Sequence, residues 1–185
     1  MRVFVAVPLP RAAVDDLGEL LAPRQEVEDG PRWTPPDQWH VTLAFMGDAP
    51  ADRVDDLVEG LAGAASRTPG MPLRVCGAGC FPDVPGARVL WAGVEDPAGG
   101  LPPLARRVRS AANRAGAAPD GGRFTPHLTL GRFRRPTEAT RWVRVLDLYA
   151  GPWWTADHLA LVQSHLGEGP RGRPRHEVVA EVPLG

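Results

Sequence analysis

The sequence predicts an α+β architecture of two related lobes around a central groove. Three observations carry the prediction. Strand-like and helix-like periodicities interleave along the chain as strand–helix–strand–helix, then hairpin–helix–strand, then further strands. Each half holds a helix followed by a loop and a strand that opens near a histidine, His40 in the first and His127 in the second. No stretch of the 185 residues has the composition of a long linker, so residues 1–185 are expected to form a single domain with two pseudo-symmetric lobes.

Arg2–Val7 alternates apolar with other residues and reads as a strand, ended by Pro8 and Pro10. A helix follows, with Val14, Leu17, Leu20 and Leu21 on one face. Pro23 to Pro36 is irregular, apart from a short edge strand over Arg32–Thr34. Gln38–Met46 is a strand closed by Gly47-Asp48. In the next helix Val54, Leu57, Val58 and Leu61 lie opposite Asp52, Asp55, Asp56 and Glu59. Leu73–Phe81 and Ala87–Val94 form a hairpin through Pro82–Gly86. A third helix spans about Gly100 to Ala115, with Leu101, Leu104, Val108 and Ala111 on its apolar stripe. The strand Pro126–Arg132 follows Gly121-Gly122, and Trp142–Tyr149 fits neither template. Trp153-Trp154 reads as loop; strands His158–Leu166 and His176–Val182 flank the Gly/Pro/Arg-rich loop Gly167–Pro174.

Apolar residues make up 43% and charged residues 23%, as expected of a soluble globular chain. The 21 glycines and 21 prolines are spread between apolar runs, so they mark turns rather than disorder. Gly, Pro or charge interrupts the longest apolar stretches, which excludes a membrane-spanning helix. Met1 leads straight into a strand-like run rather than a signal peptide, so a cytoplasmic location is expected. Cys76 and Cys80, four residues apart on an extended segment, stand roughly 13 Å apart. A disulfide needs less than about 7 Å, so both are expected to be buried thiols.

Net charge is −1, which gives no global attraction for nucleic acid. All 21 basic residues are arginine, so any cationic phosphate contact uses a guanidinium fork. Acidic residues crowd Asp15–Glu28 and Asp48–Glu59, whereas arginines crowd Arg106–Arg114, Arg132–Arg144 and Arg171–Arg175. The C-terminal half is the better candidate for an anionic ligand.

Two tetrapeptides carry the chemistry: His40-Val41-Thr42-Leu43 and His127-Leu128-Thr129-Leu130. On a strand, side chains alternate faces, so each motif presents an imidazole and a hydroxyl on one face and apolar residues on the other. Two such strands facing each other place two imidazoles and two hydroxyls around one pocket. That set suits a phosphodiester. One imidazole deprotonates the attacking oxygen, the other protonates the leaving oxygen, and the hydroxyls donate to the non-bridging oxygens. This pattern arises by chance at about a few per thousand histidines. Two copies among five histidines therefore point to function rather than to half-buried strand histidines.

These residues resemble a known family, the 2H phosphoesterases, specifically the bacterial RNA 2′,3′-cyclic phosphodiesterases also called 2′–5′ RNA ligases. Arg2–Val7 resembles the family's opening strand, and Trp33 with Trp39–Gly47 (WHVTLAFMG) its first motif and surroundings. Gly79–Pro82 and Arg88–Trp91 resemble its central hairpin, Phe124–Arg132 (FTPHLTLGR) its second motif, and Ser164 with Gly169-Pro170 its late strand and loop. The family's late tyrosine is replaced by His176, which bears on substrate fit rather than chemistry. The resemblance implies two antiparallel-sheet lobes with outer helices, one motif on each lobe. It implies His40 as proton donor to the leaving ribose oxygen, His127 as proton acceptor from water, and Thr42 and Thr129 as phosphate-binding residues. The residues themselves are symmetric between donor and acceptor. The implied activity opens RNA 2′,3′-cyclic phosphates to 2′-phosphomonoesters without metal or cofactor, and its reverse is 2′–5′ ligation. The expected partners are RNA ends or nucleotides bearing a cyclic phosphate, with no membrane and no obligate protein partner.

Arg132 follows His127 by five residues, so strict alternation puts it on the opposite face; a bulge near Gly131 would return it to the groove as a phosphate contact, where the family has an arginine. Arg134, Arg135, Arg171, Arg173 and Arg175 read as solvated loop residues. Alternation places Phe45 on the core face, and Trp33, Trp39 and Trp91 read as structural. His158, His165 and His176 have no metal-ligand spacing and read as structural or surface residues, so no metal site is expected. No Walker-type loop occurs, which argues against an ATP-dependent ligase. Two further functions remain open: the same chemistry on a small nucleotide or ADP-ribose cyclic phosphate, and a non-catalytic nucleotide-binding module.

Overall fold

A computed structural model describes residues 1–185. Nine strands and four helices run in the order β1 (Val3–Pro8), α1 (Arg11–Gln25), β2 (Arg32–Trp33), β3 (His40–Met46), α2 (Val54–Ala65), β4 (Met71–Phe81), β5 (Ala87–Glu95), α3 (Leu101–Arg114), β6 (His127–Thr137), α4 (Thr140–Asp147), β7 (Trp154–Ala156), β8 (His158–His165) and β9 (Arg175–Pro183). The strands form two antiparallel sheets, ordered β3-β1-β8-β9 and β2-β6-β5-β4-β7. No helix is long and apolar enough to cross a membrane.

The element order agrees with the sequence reading, with four differences. α1 runs on through Pro23 to Gln25, a stretch read as irregular. The ambiguous segment at Trp142 is the helix α4, which buries Trp142 and Leu146 at i, i+4 spacing. Trp154 lies in β7, paired to Leu73 of β4, rather than in a loop. β6 continues past Arg132 to Thr137. Both cysteines are free, and only Cys80 is fully buried.

The lobes are not the two halves of the chain. The first sheet packs its outer face on α2 and α3, through Val5, Val41, Leu57, Leu61, Leu104 and Val108. The second packs on α1 and α4, through Leu17, Leu21, Leu90, Leu128 and Leu146. Thus α1 leaves β1 and covers the other sheet, while β8 and β9 return to the first. The apolar stripe of α1 follows the sequence pattern: Leu17 and Leu21 are both fully buried. Each stabilises the fold by about 1.5–3 kcal/mol, and Leu21→Ala would cost about 2–5 kcal/mol once the cavity is counted.

Bulges fix what faces the groove. In the β1–β3 ladder Val5 pairs with Ala44 and Ala6 with Thr42, leaving Leu43 as the extra residue. In the β5–β6 ladder Leu90 pairs with Gly131 and Trp91 with Thr129, leaving Leu130 as the extra residue. Both motifs are therefore bulged at the leucine after their threonine. A third bulge lies in β4 between Val75 and Ala78, where Gly77 takes φ +72°, a conformation that favours glycine. It sends Val75 and Cys80 into the core and leaves Gly79 opposite Trp91 and Phe81 against Trp91 and His127.

Candidate active site

A strand with one extra residue changes parity beyond it. His40 and Thr42 share a face, and after the bulge at Leu43 the next residue on that face is Phe45, which pairs with Phe4. His127 and Thr129 share a face, and after the bulge at Leu130 the next is Arg132. The two strands line one cavity of about 300 Å³ between the lobes, and all five residues named from the sequence, His40, Thr42, His127, Thr129 and Arg132, are in its wall.

Each imidazole is braced by aromatic rings. Phe4, 4% exposed, stacks on His40 at 4.5 Å between centroids and an interplanar angle of 18°. Phe81 meets His127 edge-on at 4.9 Å, and Trp91 lies 5.8 Å away. Trp91 reaches that position because Gly79 opposite it has no side chain: a Cβ there would collide with the indole. Nδ1 of His127 lies 2.6 Å from the Thr125 carbonyl, so it carries the proton and leaves the Nε2 lone pair free.

The surroundings lower the basicity of both rings. Burial, then the charge of His176, and more weakly that of His127, bring His40 down to about 4, against a main-chain hydrogen bond at Gln38. Burial also depresses His127, assisted by Arg132 and opposed by the hydrogen bond to Thr125. At neutral pH the empty groove therefore holds neutral imidazoles. An arriving phosphate anion acts in the opposite direction on both rings.

Several lining residues were not assigned there from the sequence. Phe45 faces the groove, not the core, because the bulge at Leu43 reverses the alternation. Its ring carries the Arg2 guanidinium 4.4 Å from its centroid. His176, read as structural or surface, lines the cavity with its ring 5.8 Å from His40 and 5.0 Å from Phe4. It pairs in register with Ser164, which is 8% exposed and also faces the cavity. Burial lowers the basicity of His176, and Asp37 works the other way.

Arg173, read as a solvated loop residue, reaches the cavity. Its loop is held across the groove: Arg32 Nη2 donates to the Arg171 carbonyl at 3.0 Å, and Gln38 Nε2 to the Pro174 carbonyl at 2.9 Å. Arg175 pairs with Glu168 and Glu177 at 2.9 and 3.1 Å. Trp33 combines both roles, lining the cavity and packing on Trp142 at 5.4 Å. No group of three or more His, Cys, Asp or Glu side chains is placed to hold a metal ion.

Comparison with known proteins agrees with this fold. The family model of the 2′-5′ RNA ligase superfamily matches residues 9–168. The RNA 2′,3′-cyclic phosphodiesterase of Thermus thermophilus is 33% identical over an alignment covering 100% of this chain and 90% of its own. That of Geobacillus stearothermophilus is 31% identical over 129 residues, 70% of this chain and 41% of the relative's length. The crystal structure of Escherichia coli LigT complexed with 3′-AMP superimposes with a TM-score of 0.78 at 28% identity, covering 99% of this chain and 97% of LigT. The chain belongs to the 2′-5′ RNA ligase superfamily and has the 2H phosphoesterase fold.

Proposed function

We propose that this protein hydrolyses RNA 2′,3′-cyclic phosphate ends to 2′-phosphomonoesters, with His40 as general acid and His127 as general base. The observation that carries the reading is the matched pair of bulged strands, which turns a histidine, a threonine and a fifth-position residue from each lobe onto one cavity. A pocket of about 300 Å³ has room for a terminal nucleotide, with the rest of the strand outside it. The relatives named above as RNA 2′,3′-cyclic phosphodiesterases support the substrate class.

In the proposed cycle Nε2 of His127 takes a proton from water as the water oxygen bonds to phosphorus. The bond from phosphorus to the 3′-oxygen breaks, and that oxygen takes the proton carried by His40. The product holds a 2′-phosphate and a 3′-hydroxyl; solvent restores the starting protonation. Thr42 and Thr129 donate to the non-bridging oxygens, whose charge grows in the transition state, and Arg132 offers a charged fork. A 5′-hydroxyl in place of water would give a 2′–5′ linkage by the same proton movements. The donor and acceptor roles follow the family resemblance; the free Nε2 of His127 fits the acceptor role. Because α1 leaves one sheet to cover the other, and α3 lies between β5 and β6 yet covers the opposite sheet, residues 1–185 are read as one folding unit.

The direct test incubates the protein with a 2′,3′-cyclic-phosphate oligonucleotide in chelator and locates the product phosphate. A 2′-phosphomonoester is expected. A 3′-phosphate, or activity only with added metal, would sink the mechanism. Tight binding of a nucleotide without turnover would instead establish a binding module.

A further inference from the structure

The arginine cluster at 106–114 takes no part in the groove, yet it forms a cleft of its own. A second cavity, about 270 Å³, is lined by Arg67, Pro103, Arg106, Arg107, Ser110 and Arg114. The α3 members recur at helical spacing on one face, and Arg67 joins them from just beyond α2. The ion pairs made by arginine elsewhere use Arg11, Arg53, Arg74 and Arg175, so the four cleft arginines have no carboxylate partner. Arg107 is fixed by hydrogen bonds to Thr68 Oγ1 at 2.9 Å and to the Arg67 carbonyl at 3.3 Å. Asp56 and Glu59 lie in the adjoining recess beside Arg67 and Arg114, and so bound the positive surface on one side.

Like charges gathered without partners repel and cost stability, which an anion would offset. Four guanidinium forks and one hydroxyl suit phosphate oxygens. No aromatic ring is present on which a base could stack, so the chemistry selects backbone rather than nucleobase. The helix that carries the cleft is tied to the groove through a different side, where Arg109 stands. Arg109, on the same helix, donates to the Gly122 carbonyl at 2.8 Å. Two residues earlier, Asp120 N donates at 2.7 Å to the carbonyl of Phe45, a groove residue. Arg123 is exposed on that same loop.

We propose that this arginine cleft is a second phosphodiester-backbone site, which holds single-stranded RNA several nucleotides from the cyclic end bound in the groove. The inference rests on the RNA-end reading above and adds a length requirement to it: a long strand bridges both sites, whereas a mononucleotide reaches only one.

The test compares the wild type with the Arg106→Gln/Arg114→Gln variant, which leaves the Arg107 anchor intact. The substrates are a 2′,3′-cyclic mononucleotide and a 15-nucleotide RNA with a cyclic end. For the long RNA the variant is expected to raise KM about tenfold with kcat unchanged, and to reduce the slope of log affinity against log salt by about 1.4. For the mononucleotide, kcat/KM should stay within about twofold, since neither residue touches the groove. An unchanged KM for the long RNA, or equal losses on both substrates, would overturn the cleft as a backbone site. If the wild type turned over neither substrate, the catalytic reading would fail on its own. Equilibrium binding of an unreactive 15-nucleotide RNA would then decide the cleft separately, with about tenfold weaker binding by the variant upholding it and equal binding ending it.

Discussion

β3 and β6 carry the same device in different surroundings. Each opens on a histidine, places a threonine two residues on, bulges at the following leucine and returns its fifth position to the groove. There the likeness ends. On β3 the fifth position is Phe45, under the Arg2 guanidinium, and the histidine lies against Phe4 and near a third imidazole, His176. On β6 the fifth position is Arg132, and the histidine is held by Phe81, Trp91 and the Thr125 carbonyl. The motif makes two equivalent frames; the fifth position puts an aromatic ring on one and a guanidinium on the other. A symmetric pair can thus carry stacking on one side and charge on the other without any change in the motif itself.

The most severe way to break the comparison is to remove either imidazole. His40→Ala and His127→Ala are each expected to lower kcat/KM on a 2′,3′-cyclic mononucleotide by about 10²–10⁴-fold. In the proposed mechanism the two act in one step, so the double variant should be little worse than the poorer single one. Either single variant at near wild-type turnover would end the paired mechanism. The fifth positions sharpen the contrast at a smaller scale. Arg132→Gln should cost about 10–100-fold in kcat/KM, the worth of a charge-assisted hydrogen bond, largely in kcat if the charge follows the transition state. Phe45→Leu should raise KM by less than about tenfold and leave kcat nearly unchanged. Equal kinetic signatures at the two positions would erase the division between stacking and charge.

What was legible in the sequence follows from the range of the interactions. Period-two alternation puts His40 with Thr42 and His127 with Thr129, because adjacent residues on one strand decide it. The bulge is invisible to alternation, since it is a property of the pairing with β1 or β5. A signal for it was nevertheless present: Phe45 and Arg132 stand at the same spacing from their histidines, so a bulge invoked for one motif applies equally to its twin. His176 had no local signal, because it reaches the groove only through the pairing of β9 with β8 and of β8 with β1. The helices show the same limit. The apolar stripe of α1 announces that Leu17 and Leu21 are buried, but not that they cover the sheet to which β1 does not belong.

The protonation of the two rings offers a finer contrast. With His40 lowered to about 4 and His127 below its ordinary value, the state with His40 charged and His127 neutral is most populated at acid pH. On the free enzyme, kcat/KM should therefore peak between about pH 4 and 6.5 and decline above that window. A flat profile from pH 5 to 8 would contradict the depressed basicities. His176→Tyr removes the neighbouring charge from His40, so the acidic limb should move to higher pH, with the alkaline limb nearly fixed. An unmoved acidic limb would show that His176 does not communicate with His40.

The smallest effect separates the rings through folding rather than catalysis. Unfolding returns His40 to an ordinary basicity near 6.5, so between pH 6.5 and about 4 the unfolded chain binds a proton that the folded chain refuses. The stability associated with a neutral His40 is thus complete above pH 6.5 and is progressively lost as pH falls toward 4. In His40→Gln that loss disappears, and the variant's Tm should fall less than the wild type's between pH 7 and 4.5. His127 is depressed by the same burial but keeps a hydrogen bond to Thr125 that favours its charged form, so His127→Gln should flatten the Tm profile less than His40→Gln. Parallel Tm profiles for the wild type and His40→Gln would mean that the burial of His40 does not exclude the proton, and that the two imidazoles differ less than their neighbours imply.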